Sequence, residues 1–295
     1  MTFFAILLGY LIRRGLDASG RVGSDAVFRL WFSRMPPSRA GREHRAWPGV
    51  AILLGAVLLA VLIGFAFRYW HLSFLQWFFD ALMIALLLGR PGWKQALTGY
   101  GQAWRRGDAA QAWREVQALL PASVRGDALE PRVMHLALCR QYLVQTFEHY
   151  FMLLFWFAVL GLPGLILSRL ALALRDHWPH PGGRAVFERP VTLLAWIPAR
   201  VLALSFGIAG DLAGWMSDRR QNLFRFGGQV EDLLFDSANG ALSSYSLDPD
   251  GYQRVHPDGW PDYGARSLQA VRDLLNRSLL VWISAFAILA ILGIL

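Results

Sequence analysis

The chain has 295 residues, of which 55% are hydrophobic and only 17% charged, well under the roughly 25% charged residues of soluble domains. That balance makes lipid the expected solvent. Its net charge of +8, thirteen Trp and single Cys exclude an internal disulfide and a cysteine-based zinc site, and Cys139 reads as a packing residue.

In chain order, residues 2–12 are apolar but too short to cross a hydrocarbon core that needs about 20 residues. They are expected at the interface or partly across it, and to be retained rather than cleaved. The following segment, 13–46, carries Arg13, Arg14, Arg21, Arg29, Arg34, Arg39, Arg42 and Arg45 against Asp17, Asp25 and Glu43, which places it on the cytoplasmic side by the positive-inside rule. Residues 48–67 form the first span. Pro48 is tolerated at the helix start, and Trp47 and Trp70 bracket it as interface anchors. A second span, 72–89, returns as a hairpin and carries Asp80.

Residues 90–147 are too polar to span and are expected to be cytoplasmic. Asp108 and Gln111 have the spacing of a capping box ahead of a helix ending near Pro121, and Pro131 opens another helix that enters the membrane. Residues 150–174 are apolar, with Gly161, Pro163 and Gly164 expected to kink the span. Residues 175–190 read as an exposed outer loop. Residues 191–210 form the next span despite Pro198 and Arg200, 211–277 return to the cytoplasm with an irregular tract from Asp248 to Tyr263, and 278–295 form the last span. The fold class is therefore all-α. The chain is a polytopic integral membrane protein of four or five transmembrane helices with helical cytoplasmic segments, in a single domain over 1–295.

Ionisable groups inside a membrane cost at least about 2.5 kcal/mol and mark a partner or a polar pocket. Asp80, Glu148 and Arg200 are such groups, with Asp80 or Asp211 as candidate partners for Arg200. Glu148-His149 could move a proton, but adjacent helical residues diverge, and solvation by headgroups is the simpler reading. His177 and His180 could offer two metal ligands, but Pro179 and Pro181 and the want of a third ligand favour a solvated loop. Asp248, Asp250, Asp258 and Asp262 lack the order of a calcium loop. Neither a P-loop nor a Gly-x-Ser-x-Gly elbow occurs, and the arginines flank spans rather than form a nucleic-acid motif. No catalytic residue, metal or cofactor is assigned.

Phe155-Trp156-Phe157, Gly161-Leu162-Pro163-Gly164, Ser168-Arg169 and then Trp196-Ile197-Pro198-Ala199-Arg200 resemble the AmpE family of inner-membrane signalling modulators. They also resemble its larger relatives, the adenosylcobinamide-phosphate synthases of the CobD/CbiB type. Gly107-Asp108 and Ser237-Ala238-Asn239-Gly240 fit the same outline. The synthases carry an Ala-Glu-Asn motif with a following Asp, where this chain reads Phe147-Glu148-His149-Tyr150-Phe151-Met152, and they place paired Asp residues where it reads Pro190-Val191-Thr192-Leu193-Leu194-Ala195. A magnesium- and ATP-using ligase needs such carboxylates, so the AmpE branch is the better fit. The resemblance implies an inner-membrane modulator or sensor linked to β-lactamase induction, antibiotic resistance and cell-wall recycling, rather than a demonstrated enzyme. Alternatives are a residual amide-forming activity or a membrane scaffold. It also implies an inherited polar ligand site at Glu148, Arg200 and Asn239, with Asp80 and Asp211 beside them. The expected partners are membrane lipid, another membrane protein or a second copy, and a small-molecule ligand.

Overall fold

The computed structural model describes residues 2–19, 24–33, 46–89, 93–120, 130–179, 181–217, 229–242 and 246–293, and among these there are helices and no strands. Four helical stretches are long and apolar enough to cross a bilayer: Trp47–Tyr69, Pro131–Leu160, Gly183–Ala209 and Trp260–Ile291. A fifth apolar stretch, Phe74–Leu87, is shorter. The chain is a multi-pass helical membrane protein, as its hydropathy predicts.

The N-terminal helix, α1 (Thr2–Ser19), extends past the expected boundary at residue 12 and includes Arg13 and Arg14. The basic segment that follows is not all loop, since α2 (Ser24–Ser33) lies within it; Arg21, Arg34, Arg39, Arg42 and Arg45 fall outside the described residues. The first span, α3 (Trp47–Tyr69), has Pro48 in its first turn, where the missing N–H leaves no bond unmade. Its chain reverses through His71, at φ 53°, into α4 (Ser73–Leu87). Two further helices are α5 (Trp93–Arg105) and α6 (Ala109–Val116). Asp108 caps α6 by accepting from the Gln111 backbone N–H at 2.8 Å. The reciprocal half of the expected capping box is absent, because the Asp108 N–H donates to the Ala103 carbonyl at 3.1 Å. Pro121 lies outside the described residues.

The largest departure concerns 150–174. α7 (Pro131–Thr146) passes through a π-helical turn, Phe147–Phe151, into α8 (Met152–Leu160). Gly161 then ends the helix outright rather than kinking it. Its φ of 68° and ψ of −150° lie in a region open essentially to glycine alone. A separate helix, α9 (Leu162–His177), begins immediately, with Pro163 in its first turn. A Cβ on Gly164 would overlap the Trp156 carbonyl oxygen, so the start of α9 packs directly on the backbone of α8.

The expected outer loop at 175–190 is mostly helix. α9 runs to His177, and α10 (Pro181–Ala209) begins four residues later and continues through both Pro190 and Pro198. Beyond it come α11 (Leu212–Ser217), α12 (Val230–Ala241) and α13 (Pro249–Val255). The tract expected to be irregular thus holds α13, a 3-10 turn at Pro257–Gly259 and the first residues of α14 (Trp260–Ile291). The final span is the end of this 32-residue helix. The acids of that tract serve the fold: Asp248 accepts from the Asp250 N–H at 3.1 Å, and Asp250 pairs with Arg132 at 2.6 Å.

Two compact units interleave along the sequence. The first comprises Met1–Pro91, Glu148–Pro198 and Ile283–Leu295; the second comprises Gly92–Phe147 and Ala199–Trp282. In the first unit, α1 lies against α4 at Gly9, where a Cβ would come within 2.7 Å of Ile84. Its aromatic core joins Phe32 of α2, Trp178 after α9 and Phe187 of α10 around Leu170, Ala173, Leu174 and Ala46. The Phe32 and Trp178 rings meet edge to face with centroids 5.8 Å apart, the favoured arrangement of their quadrupoles.

The second unit is built on a buried aromatic and polar core. The Ser267 hydroxyl donates to the Tyr263 carbonyl at 2.7 Å. Its oxygen therefore accepts from Nε2–H of His135 at 2.6 Å, which leaves Nδ1 to accept from the Tyr100 hydroxyl at 2.9 Å. Burial pushes the Tyr100 phenol far above its ordinary pKa, so it acts as a neutral donor. Cys139 is fully buried beside this imidazole, consistent with a packing role.

Candidate functional site

The π-turn between α7 and α8 is where charge enters the apolar part of the first unit. A π-turn adds one residue to a helical turn, and such insertions concentrate at functional sites. Here it carries Glu148 and His149, both buried. The two carboxylate oxygens of Glu148 accept from the two terminal nitrogens of Arg175, at 2.5 and 2.8 Å. This parallel fork is the strongest ion-pair geometry available to arginine.

The topology explains the pairing. Gly161 reverses the chain, and Glu148 and Arg175 lie nearly equidistant from it on α8's approach and on α9, so two packed antiparallel helices bring them level. Arg175 keeps its ion pairs despite burial: desolvation lowers its pKa, but the Glu148 carboxylate and then Asp176 more than reverse this. The Asp176 carboxylate accepts from its Nε at 2.8 Å. Arg175 also sits in the last turn of α9, where the helix dipole favours a cation.

Two further groups from the N-terminal helices reach the π-turn. The Gly89 N–H donates to the His149 carbonyl at 3.1 Å, and Gly89 holds φ 79°. A Cβ on Gly89 would overlap the Arg13 guanidinium and come within 2.8 Å of the Tyr150 hydroxyl. Glycine thus permits both the left-handed backbone and the close cover by a buried arginine. Arg169, also buried, lies with its guanidinium 4.9 Å over the Phe28 ring, an arrangement stabilised by the ring quadrupole.

A hydrogen bond ties the Phe-Trp run to the helical turn that leads into the Trp-Ile-Pro-Ala-Arg run. Pro198 has no N–H for the carbonyl of Leu194 four residues earlier, a defect that destabilises a helix interior. The indole N–H of Trp156 donates to that carbonyl at 2.9 Å. Trp156 of the Phe-Trp run and Leu194, ahead of the Trp-Ile-Pro-Ala-Arg run, therefore meet within the first unit.

Of the residues expected at an inherited site, Glu148 and Asp80 lie in the first unit and Arg200, Asp211 and Asn239 in the second. Glu148 is a correction to the headgroup-solvated reading, since its side chain is 7% exposed and closed on Arg175. Asp80 is half-buried on α4 and Arg200 half-buried on α10. Asn239 accepts from the Leu247 N–H at 3.3 Å. Asp211 accepts from the Ala213 N–H at 3.0 Å, while its own N–H donates to the Ala241 carbonyl at 2.8 Å. These two side chains hold backbone, and Asp211 lies beside α12 two residues from Asn239. His177 ends α9, and His180 falls outside the described residues. Among the described residues, no three His, Cys, Asp or Glu side chains come together as a metal site.

Arg13 and Arg175 are members of the π-turn cluster that the sequence left in loops, and Gly89 one that it placed at the end of the second span. The signal was available for Arg175, as a cation and Glu148 placed symmetrically about a Gly-Leu-Pro-Gly reversal. Arg13 and Gly89 reach the cluster only through tertiary packing.

The chain is similar to curated proteins described as cobalamin biosynthesis protein CobD. It is 29% identical to that of Stutzerimonas stutzeri over 223 residues, covering 71% of each chain. It is 30% identical to that of Chromobacterium violaceum over 179 residues, covering 57% of each. No protein-family model matches it, and no solved structure does. These likenesses support a CobD/CbiB-like relationship, and they do not confirm the AmpE branch.

Proposed function

We propose that this chain works in the bacterial inner membrane as a CobD-like protein of cobalamin biosynthesis, with the Glu148 and Arg175 pair at the centre of its ligand site. The observation that carries the reading is the similarity over 223 residues to a protein described by that pathway. The geometry adds that Glu148, the acid remaining where the synthases have Ala-Glu-Asn, is buried in a π-turn and aligned by a forked arginine. The class of chemistry is formation of an amide on a phosphate-bearing small molecule. Arg200, Asn239, Asp211 and Asp80 remain secondary ligand candidates. Membrane lipid is the surrounding partner, and a second copy or another membrane protein is a further candidate.

Magnesium and a nucleotide, which a synthase would need to activate a carboxylate for amide formation, would meet Glu148 only with its fork to Arg175 opened. Both oxygens of Glu148 are engaged by Arg175. That observation favours the second reading, a membrane modulator of β-lactamase induction in which the same pair is structural or faces a different ligand.

The test uses membranes of a strain lacking its own CobD and expressing this chain. The reading expects adenosylcobinamide phosphate to form from its precursors, and formation to fail with Glu148→Gln. If the intact protein is present in the membrane and no product forms, while its deletion in the native host alters β-lactamase induction, the modulator reading replaces it.

A further inference from the structure

Helix α2 divides into three sectors. Phe28 and Phe32, one turn apart, face the protein: Phe32 is buried in the core with Trp178 and Phe187, and Phe28 packs against the same cluster. Val27, Leu30 and Trp31 occupy a different face at the i, i+3, i+4 spacing of neighbours on a helix surface, and are 68, 57 and 46% exposed. Arg29, exposed, projects about 160 to 200° around the helix from Val27 and Trp31 at the usual 100° per residue. A short helix with one face on the protein, one apolar face uncovered and a cation opposite is the pattern of a helix lying in a membrane interface.

Its depth is fixed by the core to which it is attached. That core includes Ala46, immediately before α3, and has Val50, Ile52, Leu53 and Ala56 of α3 packed on it. α2 packs on α9 and, through the shared core, lies near the first turns of α3, where Trp47, 73% exposed, marks the boundary region that Trp prefers. Beyond Trp47 the same helix exposes Leu54, Leu58, Leu59 and Leu62, so the apolar surface of the span continues past the level of α2. The sequence around α2 supplies charge complementarity, with Arg21, Arg29, Arg34 and Arg39 against Asp25. Basic segments beside a span are drawn to anionic headgroups.

We propose that α2 is an interfacial anchor. It lies in the headgroup plane at the start of α3, with Val27, Leu30 and Trp31 in the upper acyl region of an anionic bilayer and Arg29 towards phosphates and water. The anchor fixes the position of the C-terminal half of α9, with Arg169 near its middle and Trp178 just past its end. It does so because Phe28 stacks beneath the Arg169 guanidinium and Phe32 packs on Trp178.

The full-length protein in vesicles of phosphatidylglycerol and phosphatidylcholine tests this. Cysteines are introduced singly as Val27→Cys, Arg29→Cys, Leu30→Cys and Trp31→Cys and labelled with a polarity-sensitive fluorophore; Cys139, the single native cysteine, is fully buried. Labels at 27, 30 and 31 are expected to emit at shorter wavelength and to be quenched by lipids carrying a shallow spin label while resisting iodide. The label at 29 is expected to reverse that order. Iodide quenching at 27, 30 and 31 would show a water-facing surface and overturn the proposal. Protection from both quenchers, with crosslinks to a second protein, would overturn it in favour of a protein-covered face. All four positions are on the outside of the fold, and monodisperse elution of each labelled variant checks that the fold is kept.

Discussion

The indole N–H of Trp156 donates to the carbonyl of Leu194, the group that Pro198 deprives of its helical donor. A side chain from one helix thereby repairs a defect in another, and α10 continues through its proline. Leaving a buried carbonyl unsatisfied costs about 1–3 kcal/mol. Trp156→Phe is expected to lower stability by an amount in that range, read as a fall in the thermal midpoint in detergent. In the Trp156→Phe background, Pro198→Ala restores a backbone N–H and is expected to recover most of the loss. Lack of recovery would mean that the indole acts through packing alone.

The Glu148 and Arg175 fork is buried on the Glu148 side and 23% exposed on the Arg175 side. Removing one partner of a buried pair leaves the other uncompensated and costs about 3–5 kcal/mol. Glu148→Gln and Arg175→Gln are each expected to destabilise strongly. The double variant, which removes both charges of the fork, is expected to lose less than the sum of the two. Additive losses in this cycle would show that the two residues act independently.

Gly161→Ala forces a side chain into a backbone conformation that costs about 1–3 kcal/mol for other residues. The expected outcome is a destabilised hairpin of α8 and α9, with the Glu148 and Arg175 pair at its far end more exposed to exchange. Hydrogen exchange across 148–151 and 172–177 reads this directly. Protection unchanged from the native chain would contradict the role given to the reversal.

Gly89→Ala adds a Cβ where the Arg13 guanidinium and the Tyr150 hydroxyl already lie, at a positive φ. It is expected to displace Arg13 and weaken the Gly89 bond to the His149 carbonyl. A truncation at the same contact, Arg13→Ala, should relieve the clash, so the double variant is expected to be more stable than Gly89→Ala alone. Thermal midpoints of the three variants decide this.

The spans were legible where hydropathy and helix ends agree. Trp47–Tyr69 is uninterrupted apolar sequence with a proline in its first turn, and the structure follows it closely. Hydropathy failed at 150–174 because it sums apolar residues across a backbone reversal. It gives Gly161 no more weight than any small residue, whereas its positive φ divides the stretch into two helices. Proline misled in the opposite direction. Pro181 and Pro190 read as loop, but Pro181 opens α10, where a missing N–H is harmless, and Pro198 is repaired by Trp156. At the candidate site, Glu148 was visible as an acid at the edge of an apolar run. Its partner was not, because pairing with Arg175 depends on the reversal that hydropathy overlooks.

The most direct measurement of the functional claim is rescue of corrinoid synthesis in a strain deleted for its own CobD. The account predicts that this chain restores growth dependent on completed cobalamin and that Glu148→Gln does not, even when its expression is raised until the folded protein in the membrane matches the native level. Equal rescue by the native chain and Glu148→Gln would contradict the site, and failure of the native chain while correctly inserted would contradict the function.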